Sequence, residues 1–123
     1  HHPEEIRVLL ESVCEIYPKK KITAVFQPHL FSRTKDLAVE FAEQLSKADE
    51  VILLDIYPAR ELPQEGVSSQ LIFDRLTCSE KTLTSKEDLL TLISKKEFEV
   101  IVTIGAGDID KYLSPIADIL RNK

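Results

Sequence analysis

The stretch ITAVFQPHLFSRTKD, Ile22 to Asp36, holds the plan of the whole chain. Ile22 to Phe26 is a short apolar run that reads as a strand. Leu37, Ala38, Phe41, Ala42 and Leu45 follow at the spacing of one helical face, which predicts a helix starting near Asp36 and ending near Lys47 and Ala48. A strand feeding a helix is one half of a parallel βαβ unit. The segment between them lies at the C-terminal end of the strand, where open α/β sheets bind their ligands. It carries His29, Arg33 and Lys35, and Ser32 or Thr34 is placed to cap the helix. Free N–H groups in the first turn would add positive character there. The eleven residues Phe26 to Asp36 alone leave two readings open: a loop built to meet an anion, or an ordinary loop with solvated charges.

The same alternation extends in both directions. Upstream, Pro3 with Glu4 and Glu5 is a helix start, and Ile6, Leu9, Leu10, Val13, Ile16 and Tyr17 lie on one helical face until Pro18 ends it. Downstream, Val51, Ile52, Leu53, Leu54 and Ile56 form a nearly continuous apolar run, as in a strand buried on both faces. The segment YPARELPQEG, Tyr57 to Gly66, is then a long loop with two prolines. It places Asp55, Tyr57, Arg60 and Glu61 at the same sheet edge as His29 and Arg33. Ser68 to Leu76 reads as a third helix and Thr82 to Thr84 as a short strand. Ser85 with Asp88 resembles a capping box ahead of a fourth helix through Leu89, Leu90, Leu92 and Ile93. Val100 to Ile104 is another buried strand, ending at Gly105, Ala106, Gly107 and Asp108. A last helix, Ile109 to Leu120, contains Pro115, which predicts a bend or a restart at Ser114.

These alternating elements predict a three-layer α/β sandwich with a mostly parallel sheet in one domain, residues 1–123. The composition, 43% apolar and 30% charged, is that of a globular chain. No run reaches the roughly 18 apolar residues of a membrane span, and no charged leader precedes an apolar segment. Cys14 and Cys78 belong to no CxxC pattern, which fits two free thiols in a reducing compartment such as the cytoplasm. A net charge of −5, with only a short Lys19–Lys21 basic run, argues against generic nucleic-acid binding. The GAGD turn is a weak phosphate signal, because a dinucleotide fingerprint wants a third glycine where Asp110 stands. The chain contains no GxxxxGK[ST] loop, no HExxH or cysteine-rich metal set and no GxSxG elbow, so neither an ATP-using nor a hydrolytic site is complete in it.

Four segments in order, HHPEEI, VFQPHLFSRTKDL, LLDIYPARELP and TIGAGDI, span most of the chain. With them the sequence resembles the C-terminal, Rossmann-like domain of the Mur ligases of peptidoglycan synthesis, most closely the branch that adds L-alanine to UDP-N-acetylmuramate. The resemblance implies ATP-dependent amide formation through an acyl phosphate. ATP and Mg2+ would be bound mainly by a central domain and the uridine part by an N-terminal domain. The domain seen here would close over the site and place the amino acid, and alone it would be inactive. His1 and His2 match the two histidines of the family's Asp-Asp-Tyr-Gly-His-His-Pro motif, so a tag origin is disfavoured. His29 matches the histidine of Gln-Pro-His, and Arg33 an arginine associated with carboxylate contact. The resemblance thus assigns substrate contact to His1, His29 and Arg33, with His2, Asp55, Tyr57, Arg60 and Glu61 as a possible rim.

Leu30 departs from the family, many members having a second arginine there. The Asp-Asp-Tyr-Gly part of the first motif is absent, which predicts that the first strand of the family domain is missing and leaves an open sheet edge. The alternative from a different class is a free-standing α/β binding domain without a catalytic role.

Overall fold

The computed structural model describes residues 2–105 and 108–122. Four parallel strands, β1 (Ile22–Gln27), β2 (Glu50–Leu53), β3 (Glu80–Leu83) and β4 (Val100–Gly105), form one sheet in the order β3-β2-β1-β4. The helices are α1 (Pro3–Ile16), α2 (Phe31–Leu45), α3 (Gln70–Phe73), α4 (Lys86–Lys95) and α5 (Leu113–Arg121), with a 3-10 turn at Ile109–Tyr112 before α5. The expected three-layer α/β sandwich is therefore present.

Side-chain alternation along β1 explains the layers. Ala24 and Phe26 pack with Ile6 and Leu10 of α1, Phe41, Ala42 and Leu45 of α2 and Ile72 of α3. Val25 points the other way, joining Ile52 with Leu89 and Ile93 of α4 and Ile116 of α5. β1 is buried along its whole length because it has a neighbour on each side and helices on both faces.

The route of the chain creates a crevice. From β1 it steps outward through β2 to β3, with α2 and α3 on one face. Then α4, on the opposite face, carries it back past β2 and β1 to β4. The direction of winding thus reverses between β1 and β4, where Gln27 lies in register with Gly105. At such a switch point the loops leave to opposite faces and a ligand crevice opens beyond the C-terminal strand ends.

Several boundaries differ from those the sequence predicts. Helix α2 starts at Phe31, five residues before Asp36, and a kink at Leu37 (φ −118°, ψ 15°) separates its first turn from the regular amphipathic part. Periodicity finds only that second part. Helix α3 is a single turn, Gln70–Phe73, after which the Arg75 and Leu76 N–H groups donate to the Ile72 and Phe73 carbonyls in tighter three-residue turns, while the buried Ser69 before it donates its hydroxyl to the Leu54 carbonyl. β2 ends at Leu53 and begins at Glu50, which is fully buried. The Pro115 restart occurs one residue early, at Leu113, so the proline falls in the first turn, where its missing N–H costs little. Ser85 caps α4 as expected, accepting the Asp88 N–H at 3.2 Å.

β3 and β4 are the two edge strands of the sheet, and the outer groove between β4 and α1 is lined by Glu5, Ile6, Leu9, Thr103, Ile104 and Gly105. Cys14 and Cys78 are separate free thiols, and burial pushes both up from the ordinary thiol range. No helix among the described residues is long and apolar enough to cross a membrane.

Candidate functional site

Two loops meet at the C-terminal edge of the sheet, one leaving β1 and the other leaving β2. Their backbones are tied together: Tyr57 N–H donates to the Pro28 carbonyl at 2.8 Å, and Leu30 N–H donates to the Tyr57 carbonyl at 2.9 Å. The bridge sets the His29 ring against the Tyr57 ring, nearly parallel at 15° with centroids 5.8 Å apart. His29 is thereby half-buried and held in orientation by a partner 28 positions further along the chain.

Leu30 makes the turn into α2 with φ 70° and ψ 137°, a region that a branched side chain enters at a cost of roughly 1–3 kcal/mol. The neighbours hold it there. Its N–H is engaged by Tyr57, and its carbonyl accepts the Thr34 N–H at 3.2 Å and the Thr34 hydroxyl at 2.8 Å. Strain of this kind persists where the surroundings determine the conformation, and it gathers at binding sites.

Neither Ser32 nor Thr34 caps α2. No side chain of its own first residues closes the helix. The Glu61 carboxylate, delivered by the loop after β2, accepts the Ser32 N–H at 3.1 Å and also the Ser32 hydroxyl. Those bonds hold the Glu61 carboxyl below the usual carboxylate range, the Ser32 hydroxyl contributing most. Glu61 therefore supplies the anion that the helix N-terminus attracts, and its observed contact is structural.

The guanidinium of Arg33 remains available. It lies in the first turn of α2, half-buried, and among the described residues it has neither a hydrogen bond nor an ion pair. Arg60 is exposed just after Ala59 (φ 54°) and likewise has no partner there. Asp55 and Tyr57 line a cavity with Gln27, Pro58, Lys86 and Glu87. His2 caps α1, its Nδ1 accepting the Glu4 N–H at 3.2 Å, while His1 lies outside the described residues. The structure thus brings His29, Tyr57 and Glu61 together on two tied loops, with Arg33 next to Ser32 in the first turn of α2. His2 precedes α1, whose Glu5 and Ile6 line a groove with Gly105 at the C-terminal end of β4.

The crevice between β1 and β4 is filled from within. Gln27, 3% exposed, donates from Nε2 to Asp108 at 2.6 Å and accepts the Ile109 N–H on Oε1 at 3.0 Å. A Cβ on Gly105 would lie 3.0 Å from Ile109 Cγ2 and 3.1 Å from the Gln27 carbonyl, so glycine permits this closure. A phosphate placed at this closure would meet the Asp108 carboxylate, which Gln27 and Lys86 already engage. The described residues also include no group of three or more His, Cys, Asp or Glu suited to a metal ion. Sequence reasoning missed Gln27 and Lys86 as members of this edge. Gln27 adjoins a proline at the end of a buried strand, which was a usable signal.

The family model of the Mur ligase, glutamate ligase domain, matches residues 1–107. The chain belongs to the Mur ligase family. It is 52% identical over 120 residues to the UDP-N-acetylmuramate–L-alanine ligase of Parabacteroides distasonis, covering 98% of this chain and 26% of that protein. It is 53% identical over 121 residues to the ligase of the same name from Flavobacterium johnsoniae, covering 98% and 27%. The crystal structure of a UDP-N-acetylmuramate-alanine ligase from Thermotoga maritima superposes with a TM-score of 0.75 at 29% identity, over 99% of this chain and 25% of that one. The chain thus spans about a quarter of the length of these relatives and corresponds to their C-terminal portion.

Proposed function

We propose that this Mur ligase domain is one of three in an ATP-dependent ligase of the cytoplasm that joins L-alanine to UDP-N-acetylmuramate in peptidoglycan synthesis. Its task in that enzyme is to position the amino acid. ATP with Mg2+, assigned to the other domains, supplies the phosphoryl group that turns the muramic acid carboxylate into an acyl phosphate. The neutral amine of alanine then attacks the acyl carbon. A C–N bond forms, the C–O bond to phosphate breaks, phosphate leaves with the electron pair, and the nitrogen loses a proton.

The contribution of this chain follows from what alanine offers. Its carboxylate must be held so that its amine faces the acyl carbon, and a planar guanidinium with two parallel donors fixes a carboxylate in both position and orientation. The observation that carries the reading is Arg33, without an ion-pair partner among the described residues, on the first turn of α2 beside the tied His29 loop. Such restraint reduces the orientational freedom the reactants must lose. His1 and His29 complete the proposed substrate contacts, and Asp55, Tyr57 and Arg60 form the rim.

The test is phosphate release with ATP, Mg2+, UDP-N-acetylmuramate and L-alanine. The full-length protein should release phosphate only when alanine is present, and residues 1–123 alone should stay at background. Release without dependence on alanine by the full-length protein, or turnover by the domain alone, would overturn the proposal.

A further inference from the structure

Lys86 is the first residue of α4, directly after the capping Ser85. A cation there opposes the helix dipole, and acids are the residues favoured in a first turn. The ammonium instead reaches across to Asp108, donating to Oδ2 at 2.7 Å, while the other carboxylate oxygen of Asp108 accepts from Gln27 Nε2 at 2.6 Å. The side-chain amide oxygen of Gln27, Oε1, in turn accepts the Ile109 N–H at 3.0 Å. One continuous hydrogen-bonded path therefore joins the α4 N-terminus, the segment after β4 and the last residue of β1. The Lys86 ammonium and the Gln27 amide together hold the Asp108 carboxyl below its ordinary range.

Gln27 is followed immediately by Pro28 and His29. A buried amide with both of its ends engaged cannot rotate without leaving a polar atom unsatisfied, and the proline fixes the φ angle of the next residue. Whatever sets the Gln27 side chain therefore sets the departure of the loop that carries His29 and leads to Arg33. Glu61 clamps the far end of the same loop through Ser32.

We infer that Lys86 and Asp108 are positioning residues for the amino-acid substrate, a latch that acts through Gln27 to fix the β1 end of the His29–Arg33 loop. The inference rests on the proposed alanine-ligase reading. Neither residue need touch substrate, because the Lys86 ammonium is spent on Asp108.

The experiment uses the full-length ligase, with ATP and UDP-N-acetylmuramate saturating and L-alanine varied. The Lys86 side chain is 42% exposed, so Lys86→Met should remain folded. Its KM for alanine should rise about 10- to 100-fold, the effect of a misplaced contact, with the KM for ATP unchanged. Lys86→Arg should recover most of the loss, since it restores a donor to Asp108. The double variant Lys86→Met with Asp108→Ala should be no worse than the worse single variant, as for residues acting as one unit. An unchanged alanine KM in folded Lys86→Met, or losses that multiply in the double variant, would overturn the latch.

If the wild-type protein does not ligate alanine, the functional reading fails by itself. Amide hydrogen exchange then still tests the latch: faster exchange over residues 27–31 in Lys86→Met supports it, and unaltered exchange overturns it.

Discussion

The Glu61 carboxylate closes the first turn of α2, accepting the Ser32 N–H at 3.1 Å across 29 residues of chain. The helix that carries Arg33 is therefore capped from another loop, and the two loops at the sheet edge form one mechanical unit. Glu61→Ala should lower the melting temperature by roughly 3–6 °C, the loss expected for one helix cap. Because hydrogen bonds depress the folded-state pKa of Glu61, its stabilisation is present above the unfolded carboxylate value of about 4.3 and is lost as pH falls through the folded value. Acid melting curves of wild type and Glu61→Gln should converge below that range; curves that stay equally separated at all pH values would exclude a charge contribution.

Arg33 has no ion-pair partner among the described residues to lose. Arg33→Ala should accordingly leave the melting temperature nearly unchanged, while alanine-dependent kcat/KM of the full-length enzyme falls by an amount equivalent to roughly 2–5 kcal/mol. Arg33→Lys should restore only part of it, because an ammonium lacks the bidentate fork. A folded Arg33→Ala enzyme with normal alanine kinetics would remove Arg33 from the site.

At the opposite end of the strands, fully buried Glu50 accepts from Lys96 and from the Thr23 hydroxyl and pairs with Lys21 at 3.5 Å. Lys96→Ala should cost about 1.5–3 kcal/mol, the range for a hydrogen bond to a charged group, measured by urea unfolding. Bonding to Glu50 raises the Lys96 pKa, and bonding to Glu80 raises that of Lys21. Their contribution is complete below the unfolded lysine value of about 10.4 and is lost as pH rises through the folded values. The wild type should therefore lose more stability than Lys96→Ala between neutral and strongly alkaline pH.

Gly105 should not tolerate alanine. The added methyl group would press on the Gln27 carbonyl and on Ile109 at about 3 Å, an overpacking expected to cost roughly 1–3 kcal/mol. Since that contact closes the crevice beside the His29 loop, Gly105→Ala should also raise the KM for alanine. A variant as stable as the wild type would mean that the closure yields freely.

The alternation of apolar runs determined the fold class, the parallel sheet and the buried face of α4, because burial on both faces or on one stripe is written in residue spacing. On α1 it found the buried Ile6 and Leu10, but Leu9, Ile16 and Tyr17 of the same predicted face lie exposed. Ser85 was legible as a cap because its partner, Asp88, is three residues away. The family was legible from four short motifs, and with it the candidate roles of His1, His29 and Arg33. The first turn of α2 was not legible: Leu30 and Phe31 break the apolar period, and the group that satisfies the Ser32 N–H comes from Glu61. Nor was the true start of β2, since Glu50 reads as a solvated charge until Lys21, Lys96 and Thr23 surround it. The strand order, the bond from Gln27 to Asp108 and the path on to Lys86 were decided by tertiary structure alone. Spacing encodes which face of an element is apolar; contacts spanning 22 to 82 residues depend on how the β3–α4–β4 crossover brings distant strand ends together, and no local pattern contains that.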